Sequence, residues 1–260
     1  MWTDTVAGTS AHSDKAIGLA VRSLPIWSSK GERRRKGIRV AGETMMSGVA
    51  QWQVRAAACE LLALGLRYPG EELAEAVSSG EWVEAAHEIW CALGIVLPDD
   101  WAQDVQDADV HVLRVEATRL FVGVPEPACS PYEGYWRAID DGVQPLMFVN
   151  PRSMAVERFC KACGLGQPKG TNEPLDHIAT EFELLQYLAA LEAGIAQPLE
   201  GCPPVENFPE GGAGAAYSAF MHDHVLAFAP RFASLLEKKT RLPLYRAMAR
   251  LLASFLAQSG

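Results

Sequence analysis

From residue 49 to the C-terminus, the patterned segments repeat their apolar residues at spacings of three and four, and no convincing run alternates. That spacing builds one face of an α-helix, whereas a half-buried strand needs a period of two. Val54, Ala58, Leu61, Leu62, Leu64 and Leu66 form a first face, which stops at Tyr68-Pro69-Gly70. Proline cannot continue a helix, and glycine favours the exit conformation. Further helices are expected over residues 71–77, 82–93 and 110–121, the last with Val112, Val115, Leu120 and Phe121 inward. After a proline-rich loop to about residue 131 and an irregular piece over 140–151, helices follow over 153–163 and from Pro174 to about 191. Residues 197–214 read as a Pro/Gly-rich connector, and helices follow over 215–228 and 244–256. Pro230 is expected to break or kink the chain, or to open a helix reaching residue 239. The fold class is all-α, a compact bundle of about ten helices without internal repeats.

Residues 1–45 show no sustained period and are expected to be a disordered extension preceding a helical domain over 46–260. Met45 and Met46 stand just before the first patterned segment and are a plausible alternative start. The extension holds eight Lys or Arg against four Asp or Glu, which leaves 15 basic and 28 acidic residues for the remainder. A net charge of −9, concentrated in the patterned part, excludes a phosphate-neutralising nucleic-acid binder and an anionic-lipid binder. It favours basic partners. No apolar run reaches the roughly 18–20 residues of a membrane span, and no apolar signal core follows the N-terminus, so the cytoplasm is the expected location. Arg33-Arg34-Arg35-Lys36 lacks the apolar stretch of a twin-arginine leader.

Six cysteines are scattered through apolar segments. They read as buried thiols of a reducing compartment. Cys160-x-x-Cys163 closes a helical pattern, and no second ligand pair follows at zinc spacing. There is no Gly-rich phosphate loop, no HExxH and no nucleophile elbow. His222 and His224 lie two apart, so one should face the core and the other water. Glu181 and Glu183 read as solvated flanks of an amphipathic helix.

Two clusters stand out. In Glu173-Pro174-Leu175-Asp176-His177, Pro174 suits a first helical turn, Asn172 or Glu173 can cap it, and Asp176 would sit at the positive end of the helix dipole. This explains the proline and one acid. The remaining acid and histidine leave open a metal-assisted hydrolytic site built on Glu173, Asp176 and His177, or an acidic surface for a guanidinium, with His177 conferring pH sensitivity. The second cluster, Ser130-Pro131-Tyr132-Glu133-Gly134-Tyr135-Trp136, reads as a stiff loop. Its rings either plug the core or wall an apolar groove.

Arg119-Leu120-Phe121-Val122-Gly123, the aromatic cluster and the Glu-Pro-Leu-Asp-His cluster follow one another in the order seen in the TorD/DmsD family of redox-enzyme maturation chaperones. HDHVLAFAPRFASLLEKKTRLPLYRAMARLLASFL and LLALGLRYPGEEL resemble that family too, and the resemblance covers about residues 50–258. It implies a cytoplasmic all-helical chaperone, not an enzyme, with no cofactor of its own. Such a protein binds the twin-arginine signal peptide, and often the apo subunit, of a molybdenum-cofactor oxidoreductase of the dimethylsulfoxide-reductase type until the cofactor is inserted. The resemblance carries leader binding to Glu173, Asp176 and His177, and to Pro131, Tyr132, Tyr135 and the adjoining Trp136. It is compatible with a monomer or a domain-swapped dimer, which the 197–214 connector would permit. The family loop usually carries Pro-Pro where this chain has Ser130-Pro131, and residues 1–45 are atypical. NarJ-like nitrate reductase chaperones, the alternative within the group, usually lack the full Glu-Pro-x-Asp-His pattern, which places the expectation on the TorD/DmsD side.

Overall fold

The helical periodicity is realised in a computed structural model that describes residues 48–106, 109–144, 151–166 and 174–259. The extension over 1–45 lies outside the described residues. α1 (Gly48–Leu66) ends before Pro69 and Gly70, and α2 (Glu71–Ser78) and α3 (Glu81–Ala92) follow as a short hairpin. α4 (Val110–Ala117) starts at Asp109, whose carboxylate accepts from the amides of His111 (2.7 Å) and Val112 (3.1 Å). A π turn, Thr118–Val122, extends it. Val112 and Val115, expected inward, are 50% and 60% exposed. Both candidate stripes of this helix have helical spacing. Only Leu113 and Ala117 continue into buried Leu120 and Phe121, whereas the valine stripe runs on to Arg119.

α5 (Glu133–Asp140) occupies the aromatic cluster, α6 is Pro151–Ala162, and α7 is Ile178–Glu192. The 197–214 connector contains two 3-10 turns, Val205–Asn207 and Pro209–Gly211, around buried Phe208. α8 (Ala213–Phe220) passes through a π turn, Met221–Val225, into α9 (Leu226–Lys239), and α10 is Pro243–Ser259. Pro230 lies inside α9, which runs through it without interruption, so the expected break is absent.

α7 is the axis of the molecule. Its apolar and small residues are buried nearly all round, as in a helix enclosed by others. α1 packs along it, α8 packs on another side, and α9 pairs with α10. Each fully buried Phe or Leu, such as Phe182 or Leu185, contributes roughly 1.5–3 kcal/mol. Gly65 of α1 meets the Met248 side chain of α10, and a methyl group there would collide with it. All six cysteines are free, and Cys160 and Cys163 are buried. Burial pushes the Cys163 thiol up to about 12, which keeps it inert. No helix among the described residues is long and apolar enough to cross a membrane.

One polar staple closes the helical stack. Arg119 donates through Nε and Nη2 to the two carboxylate oxygens of Glu116, both at 2.8 Å. Its Nη2 also donates to the carbonyl of Lys239 (2.6 Å), the last residue of α9, and the Arg241 amide donates to Glu116 Oε1 (2.6 Å). An otherwise orphaned helix-end carbonyl is thereby satisfied.

Candidate functional site

The loop leaving the Thr118–Val122 π turn bends at Gly123, where φ is 42° and an added methyl would strike the backbone of Glu126 and Pro127. The Cys129 amide donates to the Leu120 carbonyl (2.8 Å), and the chain then meets the segment leading into α7. The Ile178 amide donates to the Pro131 carbonyl (2.8 Å), and the Glu133 amide donates to the Asp176 carbonyl (2.9 Å). These bonds set Tyr132 against His177 in an isolated antiparallel bridge, with ring centroids 5.2 Å apart and planes at 84°. The two sequence clusters therefore adjoin in the fold.

Asp176 is only 1% exposed. Its Oδ2 accepts from the Gly134 amide (2.8 Å) and from Ser153 Oγ (2.6 Å), so it caps α5 from a distant segment and ties in α6. Burial raises its pKa, opposed by these same hydrogen bonds. This corrects the expectation of a first-turn, solvent-facing acid. α7 starts two residues later, at Ile178, because the preceding main chain is committed to pairing with Pro131 and Glu133. His177 is the N-cap, its Nδ1 accepting from the Ala179 amide at 3.1 Å. Burial pushes its imidazole down to about 4, so the ring is neutral at physiological pH and its proton lies on Nε2. The expected pH sensitivity through His177 therefore falls below the physiological range. Asn172 and Glu173 lie outside the described residues.

Beneath the bridge lies a buried polar cluster. Glu133, 1% exposed, places Oε2 2.9 Å from His224 Nδ1 and Oε1 3.8 Å from Arg137. Glu181, fully buried one turn into α7, corrects its reading as a solvated flank: it shares the inward stripe with Ile178, Phe182 and Leu185, while Glu183 approaches Arg67 at 3.9 Å. Burial, then the charges of Glu133 and Asp176, raise the Glu181 carboxyl well above the ordinary range. Both Glu181 carboxylate oxygens are buried without a hydrogen-bond partner among the described residues, so burial and the neighbouring carboxyl groups together disfavour its charged form. The Met221–Val225 π turn turns His224 inward, where it stacks on Phe220 (4.7 Å), and leaves His222 exposed, as the spacing of the two histidines requires.

The aromatic run is helical from Glu133 onward rather than a loop. Trp136 is buried, donates through Nε1 to the Ser130 carbonyl (2.9 Å) and lies 5.5 Å from the Arg231 guanidinium. Arg231 in turn holds Asp140 with two bonds of 2.6 and 2.7 Å. Trp136 is thus a post inside the site. Tyr132, Tyr135 and His177 remain half-buried at its edge. Ile139, Val143 and Met154, each 50–57% exposed, add apolar surface on α5, just past its end and on α6. The sequence reading missed them. The signal was there in the four-residue spacing of Tyr135 and Ile139, once that segment is recognised as helical. Among the described residues no group of three or more His, Cys, Asp or Glu is arranged to hold a metal ion.

The family model for the nitrate reductase delta subunit matches residues 71–234. The chain belongs to that family. It is a family of maturation chaperones of the NarJ/TorD type and not of catalysts, so the hydrolase alternative falls. A solved structure of a candidate redox enzyme maturation protein from Archaeoglobus fulgidus is 21% identical, with a TM-score of 0.46 over 86% of this chain and 99% of that one. None of the curated proteins matches. The family match spans the paired loop, the buried cluster and Pro230-Arg231-Phe232, which are the elements that build the site.

Proposed function

We propose that this chain is a cytoplasmic chaperone. It binds the twin-arginine leader of a molybdenum-cofactor oxidoreductase subunit of the dimethylsulfoxide-reductase type and holds the subunit until its cofactor is inserted. The observation that carries the reading is the Tyr132–His177 bridge, which gathers two distant clusters onto one edge. Half-buried Tyr132, Tyr135 and His177 offer rings beside the exposed apolar side chains of α5 and α6, a surface suited to the apolar part of a leader. Pro131, Asp176 and Trp136 fix that surface. Glu173 is the acid of the cluster assigned to the guanidinium groups. A chaperone must let its client go, and ordering a flexible leader costs free energy, so moderate affinity is expected.

Calorimetry with a synthetic Arg-Arg leader tests this. The pair Tyr132→Ala and Glu173→Lys should weaken binding at least tenfold, about 1.4 kcal/mol, while circular dichroism stays unchanged. Equal affinity in the double variant sinks the assigned site. Equal binding of a Lys-Lys leader would make the chain a general helical adaptor. A second reading, favoured by the matched family's name, keeps the same site and makes a nitrate reductase subunit the client. Titrating leaders of both enzyme types against one preparation decides between them.

A further inference from the structure

A second surface shares no residue with the Tyr132–His177 face. Residues 71–88 carry six glutamates, Glu71, Glu72, Glu75, Glu81, Glu84 and Glu88, and no lysine or arginine. All six are exposed, and Glu72 is drawn to Arg67 of the preceding segment at 3.0 Å. On α3 the acids 81, 84 and 88 form one stripe. The stripe beside it, Trp82, Ala85 and Ile89, lines a cleft of about 70 Å³ against α1. The α1 wall supplies Leu61, Leu64 and Glu60.

Two of the residues that line the cleft carry a polar atom that the fold leaves unanswered. Trp82 is 1% exposed, and its Nε1–H has no acceptor. Glu60 Oε2 is buried and has no donor. Each would ordinarily cost the fold a lost hydrogen bond. An acidic rim alone is a solvated face. An acidic rim around an apolar slot with an unfilled donor and an unfilled acceptor has the features of a recognition site.

We propose that the α1–α3 cleft docks a basic polypeptide segment of a partner protein: an apolar side chain enters between Leu61, Leu64, Ala85 and Ile89, a cationic side chain donates to Glu60, and a main-chain carbonyl accepts from Trp82. The charge of the rim selects against acidic segments. Glu60 sits with Glu72 and Arg67 around it. Burial first, then the Glu72 charge, push its carboxyl up to about 7, opposed by Arg67. A docked cation would draw it back toward the charged form.

The test uses the full chain labelled with ¹⁵N at tryptophan, with the Trp82 indole signal identified by its loss in Trp82→Phe. The probe is acetyl-Gly-Arg-Leu-Arg-Gly-amide, compared with its Glu-Leu-Glu and Arg-Gly-Arg counterparts. The basic apolar peptide should shift the Trp82 signal saturably, and Glu60→Gln and Glu84→Lys should each weaken that response at least fivefold. The acidic peptide should leave the signal in place, and the peptide without leucine should bind at least fivefold more weakly. The shift should persist in Tyr132→Ala, which separates this surface from the leader site. Glu84 is exposed, so its substitution reads the rim without touching the fold. The absence of a saturable shift, an equal response to the acidic peptide, or a response that survives both substitutions would overturn the proposal.

Discussion

Glu116 and Glu181 are both buried helical glutamates, and the fold treats them in opposite ways. Burial alone would raise Glu116. Two bonds from Arg119, the Arg241 amide and the Arg119 charge reverse that and hold it below the usual carboxylate range. Glu181 has Glu133 and Asp176 beside it, and burial together with their charges raises its carboxyl well above the ordinary range. The Glu116 staple is saturated, and it locks α4 to the end of α9. The cluster under the Tyr132–His177 bridge gathers three buried carboxyl groups, one of which, Glu181, leaves both of its oxygens without a hydrogen bond. A saturated ion pair has one good geometry, whereas a buried carboxyl group without a partner is open to a new cation nearby.

The largest expected effect breaks this contrast at its charged side. Arg119→Ala removes two bonds and the cation from the nearly buried Glu116 carboxylate, which keeps the Arg241 amide, and should cost about 1–3 kcal/mol in urea unfolding. A loss below about 0.5 kcal/mol would mean that the staple is ornamental. The next effect is in pH. The folded-state pKa of Glu181 is raised, so its contribution to stability is full below the ordinary glutamate value and declines as pH rises beyond it. Glu116 is lowered, so its contribution is full above that value and is lost as pH falls below it. Glu181→Gln should therefore flatten the decline in melting temperature from pH 5 to 8 and leave the acid limb of the profile in place. An unchanged slope would show that the buried position of Glu181 does not shift its titration. The same sign governs Glu60: Glu60→Gln should stabilise the chain by about 1–3 kcal/mol above pH 7 and by little near pH 4.5. The smallest effect belongs to the rim of the site. Arg231→Ala removes a partly exposed pair with Asp140 and the contact with Trp136, which should cost about 1 kcal/mol and shift tryptophan fluorescence.

The helices were legible because their boundaries rest on local chemistry. Proline and glycine ended α1, and the residue spacing sorted His222 from His224. Errors arose where two stripes had the same period, as with Val112 and Val115, or where a distant partner decided the outcome. Nothing near Asp176 in sequence indicates that its carboxylate caps α5. Nothing near Glu181 distinguishes it from Glu183 until Glu133 is brought beside it. Trp136 stayed undecided between core and groove wall because its hydrogen-bond partner, the Ser130 carbonyl, becomes available only once the loop has folded back.

The joint between the two halves of the site is made by the Glu133 and Ile178 amides and by the Pro131 and Asp176 carbonyls. Backbone groups are the same whatever side chains they carry. The frame can therefore persist while the side chains it displays at 132 and 177 drift. A scaffold of this kind can change what it recognises one residue at a time, without first relearning how to fold.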